Sequence, residues 1–248
     1  MIPEWLIYLL AGVAGGAVNA SAGGAKLFVF PMLLASGLSP LAANVTAAVA
    51  LWPAQLPAVW VWRHTLLADA RRLARQAVPA VAGGLTGALL LIGFPADTFV
   101  AAIPFLLAIA VVAIVLGPQL AVLLQRALPP RQLAAMTGLL LFLTGIYAGY
   151  FGAGMGFMLI AVLTAASGLA IQEANAAKNL MSVVISTTAV VPLMLSGLVD
   201  WPAALLVLAG GLVGGYAGGH LTRFIPARPM RIGVAVIGVA LTASFLLG

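Results

Sequence analysis

Two lysines, Lys26 and Lys178, are the residues whose placement invites chemistry. Lys26 follows the break Ala22-Gly23-Gly24-Ala25, and Lys178 lies three residues past Asn175. Both stand in apolar stretches, whereas the other basic residues fall in connections. An ionisable group at membrane depth is costly and normally faces a cavity or a partner. On a helix Asn175, Lys178 and Asn179 share a face, and Asn44 and Thr46 occupy the corresponding helix start earlier in the chain. The hydroxyls of Ser21 and Ser182 add donors, as do backbone N–H groups where the chain breaks at Gly23 and Gly154. Donors and positive helix ends converging in a membrane suit an anion. Blander roles compete with this one. Either lysine can snorkel to an interface, Lys178 can pair with Glu173, and Asn44 and Asn175 can bond across helices as structural contacts.

Other chemistry finds little footing. Glu4, Asp69, Asp97, Glu173 and Asp200 are the only carboxylates, and neither a Ser-His-Asp set nor a carboxylate pair is visible. The chain has no cysteine, which excludes disulfides and thiolate metal sites. His64 and His220 sit beside loop arginines with no second ligand at metal-binding spacing. No phosphate-cradling G-x-x-x-x-G-K-[ST] loop occurs. The expectation is a protein without catalytic residues, cofactor or metal, whose transport draws on a gradient or runs downhill.

The elements that must position these residues are membrane helices. Hydrophobic residues make up 64% of the chain and charged ones 6%, against roughly 25% charged in soluble domains. The apolar runs are helix-length and lack the alternation of membrane strands. The formal charge of +6 resides in short loops, where it reports orientation in a bilayer and not a nucleic-acid partner. Glu4 precedes the first run without a basic start, so that run reads as a membrane segment and not a signal peptide.

The chain also repeats itself. At an offset of 131 residues, Ala35-Ser36-Gly37-Leu38 matches Ala166-Ser167-Gly168-Leu169, Ala43-Asn44 matches Ala174-Asn175, and Ala22-Gly23 matches Ala153-Gly154. At an offset of 127, Ala82-Gly83-Gly84-Leu85-Thr86-Gly87 returns as Ala209-Gly210-Gly211-Leu212-Val213-Gly214. Two repeats follow, 1–125 and 130–248. Apolar segments at 4–21, 25–37, 41–62, 76–95 and 98–124 answer those at 132–150, 154–169, 173–197, 201–221 and 230–247. Segments 25–37 and 154–169 fall short of the roughly 20 residues a span needs. Each repeat is therefore expected to hold a re-entrant or short-helix hairpin followed by three transmembrane helices.

Charge sets the orientation. Arg63, Arg71, Arg72 and Arg75 share one connection, Arg126 and Arg131 a second, and Arg223, Arg228 and Arg231 a third. The positive-inside rule makes all three cytoplasmic, with the Asp97 and Asp200 connections outside. Equivalent loops of the two repeats then carry opposite signs. This predicts an all-α polytopic protein of inverted repeats, both termini outside, with Trp5, Tyr8, Trp62 and Trp201 near the interfaces.

At these residues the sequence resembles the sulfite exporter TauE/SafE family of membrane transporters. The resemblance is carried by the first Gly-rich break, Pro31, Gly37-Leu38-Ser39-Pro40 and Ala43-Asn44, then by Gly149-Tyr150-Phe151-Gly152-Ala153-Gly154-Met155-Gly156 and Glu173-Ala174-Asn175-Ala176-Ala177-Lys178-Asn179. Asp200-Trp201 and the Gly210–Gly219 run also fit. It implies a permease of the bacterial inner membrane moving sulfite, an organosulfonate or a related small sulfur-containing anion. Two positions depart from the pattern: Lys26 replaces a usual small residue, and Thr46-Ala47-Ala48 lacks a second Asn. The expected mechanism is alternating access around one anion site near the midplane, with Lys26 and Lys178 for charge and Asn44, Asn175 and Asn179 for oxygen contacts. A passive anion channel is the rival built from the same parts. The glycine-rich helices suit a homodimer and equally suit packing within one chain.

Overall fold

The computed structural model describes residues 3–21, 24–167, 171–221 and 227–247. Gly23, Gly168, Leu169, Ala170 and Arg223 lie outside the described residues, as do the side chains of Ser21, His220, Arg228 and Arg231. Among the described residues every regular element is helical: α1 (Glu4–Ser21), α2 (Lys26–Ala35), α3 (Pro40–Leu51), a 3₁₀ turn (Pro53–Gln55), α4 (Leu56–Val61), α5 (Arg63–Ala68), α6 (Ala70–Gly93), α7 (Ala96–Ala127), α8 (Pro130–Tyr150), α9 (Met155–Ser167), α10 (Ile171–Leu195), α11 (Trp201–Leu221) and α12 (Ala227–Leu247). Helices satisfy their own backbone polar groups, which hydrocarbon cannot do. Of these, α6, α7, α8 and α10 are long and apolar enough to cross a bilayer. Their outward faces are apolar too, with Leu85, Leu89, Phe105, Ile109, Val112, Leu139 and Leu143 exposed, a surface that suits lipid.

Local sequence sets the turns. α2 ends at Gly37, whose φ of +96° favours glycine. There the Gly37 N–H donates to the Leu34 carbonyl and the Leu38 N–H to that of Leu33, the bonding of a Schellman cap. Ser39 then caps α3, accepting from the Ala42 N–H, with Pro40 in the first turn. The Asp200 carboxylate likewise accepts from the Ala203 N–H at the start of α11.

One segment departs from expectation. The run 41–62 is not a single helix, because α3 stops at Leu51 and the chain passes through the 3₁₀ turn into short α4 and α5. Pro53 and Pro57 each lack an N–H, and their rings crowd the preceding turn. The matching run 173–197 is carried by unbroken α10 despite Pro192.

Glycine builds the two main interfaces. α1 packs on α11 and α6 on α8. A Cβ on Gly12 would strike the Val207 carbonyl and the Gly211 nitrogen, and one on Gly16 the Gly211 carbonyl and the Gly215 nitrogen. A Cβ on Gly145 would strike the Ala80 carbonyl and the Gly84 nitrogen, and one on Gly149 the Gly84 carbonyl and the Ala88 nitrogen. Contacts advance in the same sense along both partners, so each pair is parallel. The backbones touch where any larger residue would hold them apart.

Candidate functional site

The α1–α2 and α8–α9 hairpins bring their tips together. The rings of Phe30 and Phe151 meet edge to face at 5.5 Å, and Lys26 Nζ stands 5.9 Å from the Phe151 ring centroid. The second tip is tightly formed. Gly152 and Gly154 adopt φ of +78° and +72°, and the Tyr147 hydroxyl lies 2.6 Å from the Ala153 carbonyl.

Between the tips is a cavity of about 50 Å³. It is lined by Asn19 of α1, Ala25 and Lys26, then Ala48, Leu51 and Gln55, then Ala148, Gly149, Gly152 and Met155, and finally Ser186, Ala189, Val190 and Leu193 of α10. One water needs roughly 10–15 Å³ on this measure, so the space holds a few waters or one small ion. The first residues of two short helices, Lys26 of α2 and Met155 of α9, both line it. Helix starts present unpaired N–H groups and positive potential. Lys26 is its one charged lining group and is 8% exposed. A desolvated cation–π contact stabilises by about 2 kcal/mol, whereas burying an unpaired ion costs several kcal/mol. An anion in the cavity would offset that cost.

The remaining expected residues are distributed around this centre. Asn44 is fully buried and donates from Nδ2 to the Tyr150 carbonyl at 3.0 Å, beside Phe151; its Oδ1 has no hydrogen-bond partner. Thr46 is also fully buried, but its hydroxyl accepts the Asp200 N–H at 3.0 Å and so holds the start of α11. Gly154 sits at the second tip against Ala110 and Ile114 of α7. On α10, Asn175 is exposed, Asn179 half-buried, and Lys178 and Ser182 buried. None of these four lines the cavity.

Sequence reasoning passed over Asn19, Gln55 and Ser186, the neutral polar residues of the cavity wall. Ser186 donates to Gln55 Oε1 at 3.4 Å, and the Trp52 indole N–H donates to the neighbouring Thr187 hydroxyl at 2.8 Å. A signal existed: Gln55 and Ser186 are 131 residues apart, the offset of the repeated motif, and Ser186 continues the helical face of Asn175, Asn179 and Ser182. A larger void of about 480 Å³ opens between α7 and α12, but it is lined by apolar side chains and Gln119 and holds no charge.

Two known proteins are similar to this chain over nearly its whole length. The probable membrane transporter protein ORF9 of a Sinorhizobium species is 25% identical over 244 residues, covering 96% of this chain and 90% of its own. The probable membrane transporter protein YfcA of Escherichia coli K12 is 24% identical over 250 residues, covering 99% and 91%. No solved structure matches. The apolar helices and these relatives make this a membrane-embedded protein of the transporter type. The family model described as sulfite exporter TauE/SafE matches residues 8–245, and the chain belongs to that family.

Proposed function

We propose that this protein is a secondary transporter that moves sulfite, an organosulfonate or a related small sulfur-containing anion across the bacterial inner membrane by alternating access. The carrying observation is Lys26: buried, without a carboxylate among the groups around the cavity, and placed where two helix starts converge. Sulfur enters through the family, whose description names sulfite. The cavity's size favours an anion of four or five heavy atoms, and a longer organosulfonate requires the tips to separate.

Alternating access draws support from the two glycine interfaces. Residues of repeat 1–125 and repeat 130–248 exchange partners in matching fashion, α1 with α11 and α8 with α6. Inverted repeats that swap such contacts can rock about a central site. With the arginine connections cytoplasmic, both termini fall outside.

The test is sulfite flux into liposomes containing the purified protein. Saturable uptake with counterflow, sulfite recovered unchanged, and loss of at least tenfold in rate in Lys26→Met are expected. Conductance far above carrier turnover would establish the channel instead, and wild-type flux in Lys26→Met would remove the lysine from the pathway.

A further inference from the structure

We propose that Lys178 forms a second oxyanion-binding station, separated from the Lys26 cavity by the Ser186–Gln55 contact and opening toward the arginine-bearing end of the molecule. The proposal rests on the transporter reading above and adds a position on the anion's route.

Lys178 is 9% exposed, and among the described residues no carboxylate pairs with it. It is the second buried lysine among the described residues, and the same cost argument applies: a bound anion would offset the several kcal/mol that burying the charge costs. Its surroundings are polar on one side. At about 100° per residue, Asn175, Asn179, Ser182 and Ser186 fall on one face of α10, with Lys178 at its edge. Burial along that face is graded, from exposed Asn175 through half-buried Asn179 to buried Ser182.

The cavity ends on this same face. Ser186, Ala189, Val190 and Leu193 line it, and nothing earlier on α10 does. Ser186, bonded to Gln55, is therefore the wall between the cavity and the Lys178 segment. Lys178 lies two helical turns before Ser186, about 12 Å along the axis. The basic end is the neighbouring surface: Ala174, Ala177 and Met181 share a buried apolar cluster with Leu66 and Leu73, which stand among Arg63, Arg71, Arg72 and Arg75. The other half offers no equivalent, because the counterparts of Asn179 and Ser182 at the repeat offset are Ala48 and Leu51. An oxyanion gathered by exposed Arg71 and Arg75 would meet Lys178, with Ser182 and Asn179 donating to its oxygens, before it reaches Lys26.

Equilibrium binding of sulfite, under nitrogen, to the full chain purified in phospholipid-free detergent tests this. Wild type should bind two equivalents, Lys26→Met and Lys178→Met one each, and the double variant none. Lys178→Arg should restore the second equivalent, and each variant should elute as wild type in size exclusion. If either single Met variant, eluting normally, loses all binding, one shared site exists and the proposal is overturned. Two equivalents retained in Lys178→Met would overturn it equally. Phosphatidylglycerol that displaces only the Lys178-dependent equivalent would assign that position to a lipid headgroup and would also overturn it. No sulfite bound by wild type would instead refute the transporter reading itself.

Discussion

Asn44 donates to the Tyr150 carbonyl from a fully buried position, whereas Asn175, its counterpart at the repeat offset, is exposed. The same residue type in the same motif thus bears different energies. Asn44→Ala removes a buried hydrogen bond and leaves a carbonyl unpaired, a cost of about 1–3 kcal/mol. Asn175→Ala should change stability by less than about 0.5 kcal/mol. Thermal unfolding in detergent reads both, and equal shifts would show that burial does not separate the pair. A Gly-rich break marked Lys26 in the sequence and the repeated Ala-Asn pair at a helix start marked Asn44, because helix starts are local features. Gln55 and Ser186 were not legible in that way: each is an ordinary polar residue until the 3₁₀ turn after α3 is laid across the middle of α10. Thr46 shows the same limit, since its partner is the amide of Asp200, which only the fold brings near.

Among elements, the paired glycine interfaces carry the most specific forecast. Gly12→Ala and Gly145→Ala each push a methyl group into a facing backbone carbonyl. Such overpacking costs about 1–3 kcal/mol, and the two variants should lose comparable stability because their surroundings match. Gly138→Ala is the control: no atom lies within 4 Å of its Cβ position, so the substitution should gain up to about 1 kcal/mol from helix propensity. Unfolding midpoints that fail to separate Gly138 from the other two would contradict the close approach. The Gly83-Gly84 and Gly210-Gly211 echo was readable because close packing needs small residues at fixed spacing. The interruption after Leu51 was not readable from proline alone, since Pro79, Pro104, Pro118 and Pro192 all sit inside continuous helices. Pro53 and Pro57 act together, and only in the first half.

At the level of the whole molecule, orientation is the feature most directly tested. The natural chain has no cysteine, so single cysteines can be placed without altering other residues. Arg71→Cys and Arg126→Cys should react with an impermeant maleimide from the cytoplasmic face, and Asp97→Cys and Leu195→Cys from the opposite one. Labelling of Arg71→Cys and Arg126→Cys from different sides would overturn the proposed orientation, in which α6 and α7 cross and return. Composition made the membrane helices plain because it is a sum over many residues; the direction expected from the loop charges is what the labelling tests. The meeting of the hairpins was legible in the two short segments that follow Gly-rich breaks, whereas the Phe30–Phe151 contact that joins them appears only in the fold. The interruption after Leu51 also bears on kinetics. Two interchangeable halves would give an anion the same half-saturating concentration from either side. With α3 broken and α10 whole, nothing enforces that equality in the proposed transport cycle, and affinity and maximal speed are expected to differ between influx and efflux. In uncoupled passage at zero membrane potential their quotient stays equal in both directions, as detailed balance requires.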